Sequence, residues 1–536
     1  MGEIESTKDV PVTEPVESRI ITEKVITGSG ALAEAAVLEH VNPLSKGLLQ
    51  LYLIMGIMFL TSTAHGYDGS LMGTILVTKS FRETFNTGKV GEKSALITAM
   101  YQIGGVCALP FMGPLIDQWG RRVGTMFGTG IIIVGTILEG TSAASQNIGQ
   151  FMAGRFFLGF GVYFIAAAAP TYVVEIAHPK FRGVITGLYN SMYYTGAILA
   201  AGVTRGAQTS SGNNPWLIPT WVQMAFPGIV FLSVMLFPES PRWLFTHGKQ
   251  DEAKKILVKY HGNDNPDSVY VQLQLREFAE MLEIDGADQR WWDYSAIFRN
   301  KASIRRILCN VILAVFSQWC QGGVNYFIAG FYNSAGVEDE TTILDLNLGK
   351  YVMSGGFAIC GASMADTWGR RKVLISTQSL LTLCWVGITV GTALYATHHT
   401  KSSSIAGIFF FWAFQAVFSF GFTPLQALYP VEVLSYEMRA KGMAINSMAN
   451  SASSLVNQFG TATSLERIGW KTYLVFACWT AFQTVFSWWF FVETRGFTLE
   501  ELDHIFNAEN PKKESLRHRK LAIDAEKHRV VAVEEL

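Results

Sequence analysis

The chain has 536 residues, 49% of them hydrophobic and only 16% charged, with a net charge of −1. A soluble domain carries about a quarter charged residues, so this balance excludes an ordinary soluble protein, and the lack of a basic block excludes nucleic acid as a partner. The six scattered cysteines (Cys107, Cys309, Cys320, Cys360, Cys384 and Cys478) form no CxxC or Cys/His pattern, which argues against a disulfide framework and a metal site.

In chain order, the first segment is polar and acidic, with Glu3, Glu5, Asp9, Glu14 and Glu17, and has no early apolar core of the signal-peptide kind. Residues 1–46 are predicted to be a disordered cytosolic tail. Apolar runs then recur. A run of about 20 such residues crosses the hydrocarbon layer as a helix, because the backbone must satisfy its own polar groups there. Six predicted spans fill residues 47–237: Gly47–Leu76, Ser94–Ile116, Val123–Thr141, Gly149–Val173, Gly183–Val203 and Trp216–Phe237. The charged stretch 238–304 follows, and its segments HGKQDEAKKILVKYHG and VQLQLREFAEMLE read as short amphipathic helices. Six more spans fill 305–492: Arg305–Phe331, Leu348–Met364, Val373–Ala396, Ile405–Tyr429, Gly442–Gly460 and Trp470–Phe491. Residues 493–536 form a short, highly charged tail. The expected fold is an all-α polytopic membrane protein, twelve transmembrane helices in two six-helix halves.

Arg121 and Arg122, Lys180 and Arg182, Arg370 to Lys372, and Arg439 and Lys441 fall in alternate connections. The positive-inside rule therefore places both termini and the central stretch in the cytosol. The first external loop dissents, with Lys79, Arg82, Lys89 and Lys93. The two halves also repeat. DQWGRR begins at Asp117 and DTWGRR at Asp366, 249 residues later. Glu175 and Arg182 are matched 257 residues later by Glu432 and Arg439, and Glu239 of PESPR is matched 254 later by Glu493 of VETRG.

These signatures, together with EIAHPKFRG, PESPRWLF and PVEVLSYEMRAKG, resemble the sugar porters of the major facilitator superfamily, from about Leu48 to Phe506. GYDGSLMG, KYHGN, WWDY and TPLQALYP resemble more narrowly the fungal lactose-permease and cellodextrin-transporter branch, from which SQWCQGGVN departs. Asp117, Arg121, Arg122, Glu175, Arg182 and Glu239, with their counterparts Asp366, Arg370, Arg371, Glu432, Arg439 and Glu493, sit at helix ends. Charge-assisted bonds among them would latch the cytosolic ends in one state and part in the other. The resemblance implies the same network. The alternative is that the basic residues are inside anchors alone.

Inside the spans, Asp68 in the first and Arg155 in the fourth stand out. The resemblance implies proton coupling through an acid and an arginine at these places; a static buried ion pair is the alternative. His65, one turn before Asp68, reads as a relay or a packing residue. A sugar needs amides, which both donate and accept, and flat apolar faces. The resemblance implies substrate-binding positions at Asn190, Gln318, Asn325 and Asn450. Gln321 and Gln426 are further amides in segments expected to line the cavity, and Tyr67, Trp319 and Tyr326 are available to stack on sugar rings. Trp319 and Cys320 replace the paired glutamines of many hexose porters, and Ala427 and Ser451 fall where those porters carry tryptophans, so a roomier cavity is expected. Each amide could instead bond between helices without ligand.

No Walker motif, GxSxG, HExxH or kinase set occurs, so neither an enzyme nor a cofactor is expected. The functional reading is an alternating-access, proton-coupled importer of a disaccharide or related sugar. It works as a monomer in the plasma membrane, with sugar, proton and the lipid bilayer as its partners. The alternatives are facilitated-diffusion hexose uniport, carriage of a non-sugar metabolite, and a non-transporting sugar sensor, since one fold hosts many functions. The short charged tail disfavours the sensor.

Overall fold

The computed structural model describes residues 39, 41–285, 295–321, 323–435, 438–495, 497, 499–516, 519–524 and 529–535. Nearly all of the tail expected over 1–46, and the WWDY segment at 291–294, lie outside the described residues.

Apolar sequence folds here into two sets of six spans. The first to fifth are Lys46–Ile75, Glu92–Trp119, Arg121–Ser145, Ile148–Ile176 and Arg182–Ala207, and the sixth is made of Asn214–Val222 and Ala225–Ser233. The seventh is made of Lys301–Cys320 and Ile328–Ser334. The eighth to twelfth are Glu340–Trp368, Arg370–His398, Lys401–Val433, Arg439–Ile468 and Lys471–Phe490. The first span has 30 residues and is therefore about 45 Å long, more than the ~30 Å hydrocarbon layer. Seven of the described helices are long and apolar enough to cross a membrane on that ground alone. The fifth, seventh, eighth, eleventh and twelfth fall short because polar residues such as Asn190, Gln318, Lys350, Asn450 and Gln483 interrupt them.

Those polar spans lie where the halves meet. The second span packs on the eleventh and the fifth on the eighth. Within a half, glycine lets helix backbones approach closely: a Cβ on Gly159 of the fourth span would lie 1.9 Å from the Tyr101 carbonyl oxygen of the second. Each half also has its own apolar core. Met58, Tyr172 and Val230 belong to one, and Trp385, Phe414 and Phe476 to the other. A third cluster crosses the halves on the side away from the termini, where Phe327 and Ala462 meet Leu71, Met72 and Ile75.

The sixth, seventh and eighth spans differ from the sequence expectation, the sixth by its break at Gln223 and Met224. The run Arg305–Phe331 is not one helix: it breaks after Cys320 and resumes at Ile328, with Gly323 at φ +60 in the gap. The eighth span starts at Glu340 rather than Leu348, because the Asp339 side chain caps it by accepting from the Thr342 N–H at 2.8 Å. Hydropathy passed over those first turns because Glu340, Asp345 and Asn347 are polar.

On the side that carries the termini, the amphipathic segments form helices Gln250–Tyr260 and Val269–Asp285, docked on the first half. Leu502, Ile505 and Phe506 of helix Leu499–Asn507 join the core of the second half. The charged C-terminal tail carries an antiparallel hairpin, Arg519–Asp524 with Arg529–Glu535.

Candidate functional site

The centre of the first half holds an arginine with two carboxylates near it. Arg155 and Glu139 are both buried, at 3% and 1% exposed, and face each other with Nε 3.9 Å from Oε1. Their spans can approach because Gly154 precedes Arg155; a Cβ there would lie 2.6 Å from the Glu139 Cγ. Gln223, at the break in the sixth span, donates to Glu139 Oε2 at 2.9 Å. The Arg155 guanidinium lies over the Tyr101 ring, 5.0 Å from its centre. Asp68 is fully buried, and neither of its carboxylate oxygens has a hydrogen-bond partner among the described residues. Arg155 and Glu139 both act on Asp68 through space. Among the described residues Asp68 makes no ion pair with Arg155, which stands closer to Glu139, itself braced by Gln223. His65 packs edge-on against Tyr193 at 5.4 Å.

The expected cargo amides fall at several places in the spans. Gln318 donates to Asn450 Oδ1 at 2.8 Å, which joins the seventh and eleventh spans. Asn325, in the break of the seventh span, accepts through Oδ1 from Lys350 Nζ at 3.1 Å and from Gln415 Nε2 at 2.8 Å. Asn190 is exposed, on the face of the fifth span that one turn later carries Tyr194, whose hydroxyl bonds across the halves to Thr423 at 2.9 Å. Gln321 ends the first part of the seventh span, and Gln426 lies half-buried in the tenth.

Two of the aromatic residues expected to stack on sugar pack on neighbouring helices. Tyr67 is fully buried and donates to the Pro219 carbonyl at 2.8 Å, so it faces the sixth span. Trp319 packs on Trp479 of the twelfth span, with ring centres 5.5 Å apart. A helix points successive residues about 100° apart, so Gln318 bonding to the eleventh span turns Trp319 away from it. Tyr326 is half-buried, and Tyr193, Tyr194 and Tyr351 gather with it where the halves meet. At Ser451, where extra room is expected, the Tyr163 hydroxyl bonds to the serine at 2.7 Å, and the Ala427 side chain lies outside the described residues.

At the terminal side, the repeated motifs build the same device twice. The Glu239 carboxylate accepts from the backbone N–H groups of Arg121 and Arg122 at 3.2 and 3.3 Å, at the start of the third span. Glu493 does the same for Arg370 and Arg371 at 2.8 and 3.2 Å, at the start of the ninth. A negative group at a helix N-terminus meets both unpaired N–H donors and the positive end of the helix dipole. The preceding residues, Gly120 and Gly369, have φ +98 and +93, and a Cβ on either would strike the capping carboxylate. Burial pushes the Glu239 carboxyl above its ordinary range, against the pull of its N–H donors.

The guanidinium groups then tie neighbouring helices of the same half. Arg121 pairs with Glu175 at 3.0 Å and with the exposed Asp117 at 3.5 Å; Arg370 pairs with Glu432 at 2.7 Å. Arg122 donates to the Phe237 carbonyl and Arg371 to that of Phe491. Ser240 donates to Glu175 where Thr494 donates to Glu432. Arg182 lies within electrostatic reach of Glu277 and Glu175. The side chains of Asp366 and Arg439 lie outside the described residues.

Away from the termini, bonds cross between halves. Arg82 pairs with Glu340 at 2.8 Å and Arg205 with Asp345 at 2.6 Å, while Gln208 donates to Glu340 at 2.9 Å. This face is closed. Sequence reasoning passed over Glu139 and Lys350, although both stand within predicted spans, where counting every ionisable residue would have found them. It had no signal for Gln415, Gln223 or Tyr163, which matter only through their partners.

The family model described as "Sugar (and other) transporter" matches residues 54–506. Similar curated proteins include a high-affinity glucose transporter of Kluyveromyces lactis, 27% identical over 490 residues and 85% of both chains. Another is a quinate permease of Emericella nidulans, 26% identical over 488 residues, 85% of this chain and 89% of that one. Among solved structures, the inward-open xylose transporter of E. coli superposes with a TM-score of 0.70 at 18% identity, over 85% of this chain and 99% of that one.

Proposed function

Because the chain belongs to the sugar transporter family of integral membrane carriers, we propose that it imports a polyhydroxylated solute by alternating access, driven by protons. The relatives point to the cargo class: one carries glucose, another quinate. The sequence reading of a disaccharide rests on the small residues Ala427 and Ser451; the Tyr163 hydroxyl bonded to Ser451 weighs against it. In this reading the terminal side faces the cytosol, the membrane is the plasma membrane, and one chain suffices.

The observation that carries the coupling is Asp68, a fully buried carboxylate with two oxygens free of hydrogen bonds among the described residues and an arginine nearby that stands closer to a second acid. A buried carboxylate without donors favours binding a proton. Moving Arg155 between the two acids would then load and release it. The closed face away from the termini and the intra-half ties at the terminal side support an inward-facing arrangement.

The test is Asp68→Asn. Asparagine keeps the size and much of the hydrogen bonding but cannot carry a proton. Gradient-driven accumulation of a radiolabelled sugar in vesicles should disappear while counterflow persists. Accumulation by the variant would remove Asp68 from the coupling. An unmutated carrier that never concentrates its sugar would make the protein a uniporter.

A further inference from the structure

Near the middle of the described spans two bases are buried, Arg155 and Lys350, and only Arg155 has an acid beside it among the described residues. Lys350 lies ten residues into the eighth span, or about 15 Å along the helix, and is 1% exposed. Its ammonium donates to Asn325 Oδ1 at 3.1 Å and lies 4.0 Å from the centre of the Tyr351 ring. No carboxylate among the described residues pairs with it. The Asn325 oxygen is already shared with Gln415 Nε2 at 2.8 Å. An ammonium has three N–H donors, so this neutral setting leaves it short of acceptors.

An unpaired charge buried in a membrane core costs several kcal/mol and is kept for a function. Its place fits one. The partner is an expected cargo amide in the break of the seventh span, where the backbone leaves helical geometry as it does around transporter sites. The Asn325 carbonyl oxygen also lies against the first span, 2.7 Å from where a Gly73 Cβ would be, so the position touches the other half. Tyr351, beside Lys350, belongs to the cluster of phenols between the halves.

We infer that Lys350 receives an anionic group of the cargo, so that the preferred substrate is a sugar acid or other hydroxylated carboxylate rather than its neutral parent. This rests on the carrier reading above. Asn325 and Gln415 orient the lysine and read hydroxyls, the ammonium takes the carboxylate, and the phenols cover the ring.

The experiment measures uptake by the full-length protein in a transporter-deficient cell, with paired probes: lactobionate against lactose, and galacturonate against galactose. The acid of at least one pair should be taken up in preference to its neutral parent. Lys350→Met should lower the acid-to-neutral ratio by about ten- to a hundred-fold, the worth of a charge-assisted hydrogen bond. Lys350→Arg keeps the charge and should keep the ratio. Preference for the neutral member of both pairs overturns the inference but leaves the carrier reading standing, as does a ratio that Lys350→Met does not change. Uptake of neither member of either pair, nor of any sugar or polyol in a wider panel, overturns both. The wild-type comparison decides the matter even where Lys350→Met fails to reach the surface.

Discussion

Arg155 sits 3.9 Å from Glu139 and makes no close bond to it, while Asp68 nearby makes none at all among the described residues. An arginine poised between two acids can change partner with little movement. Glu139→Gln removes the acid that restrains it while keeping an acceptor for Gln223, so Arg155 should turn to Asp68 and compete with the proton. Gradient-driven accumulation should then fall by about ten-fold, roughly 1.4 kcal/mol, with counterflow retained; unchanged accumulation would make Glu139 a structural residue. Asp68 and Arg155 were legible because a charge in an apolar run is conspicuous. Which acid holds the arginine was not, since that depends on Gly154 drawing the third and fourth spans together. For the same reason Tyr67 and Trp319 were legible as aromatics but not in their direction: one residue of rotation turns a side chain from cavity to neighbouring helix.

Helix ends at the terminal side hold two histidines that the cargo path does not use. His178, in the turn before the fifth span, lies 5.2 Å from His261, whose Nε2 approaches the Ile176 carbonyl at 3.0 Å. Burial, and then the neighbouring His261, hold His178 down to about 3, and burial holds His261 down to about 4. Both rings are thus neutral in the fold, while the undocked chain would titrate near 6.5. Docking of helices Gln250–Tyr260 and Val269–Asp285 should be at full strength above that pH and weaken as the pH falls toward 4. At pH 5 each ring opposes docking by up to about 2 kcal/mol. Hydrogen exchange at pH 7.5 and 5.0 should show the two helices losing protection, and His261→Gln should blunt the loss; equal protection at both values would refute it. Both helices were legible from their amphipathic pattern, whereas the break of the seventh span was hidden within a continuous apolar run.

Between the halves, Glu340 gathers Arg82, Gln208 and the Lys79 N–H. Arg205 and Asp345 are more exposed, and a pair of that kind contributes about 0–1 kcal/mol. Glu340→Ala should therefore loosen the closed face by about 1–3 kcal/mol and shift spin-label distances between the outer ends of the fifth and eighth spans toward longer values. An unchanged distribution would mean that the apolar contact of Phe327 with Leu71 and Ile75 does the closing. The twelve-span architecture and its repeat were open to reading because hydropathy and paired motifs are local. The closed face was not, because it joins residues more than a hundred positions apart. Away from helix ends, the charged side chains buried among the described spans are two acids, Asp68 and Glu139, and two bases, Arg155 and Lys350. Fully ionised they sum to zero, so an empty core crosses the bilayer's electric field unopposed. A bound proton makes the core positive, and voltage then acts on it with about 2.3 kcal/mol per 100 mV. A neutral sugar leaves that charge in place, so membrane potential drives the loaded carrier inward. An acid cancels it, and the carrier then runs on the pH difference alone.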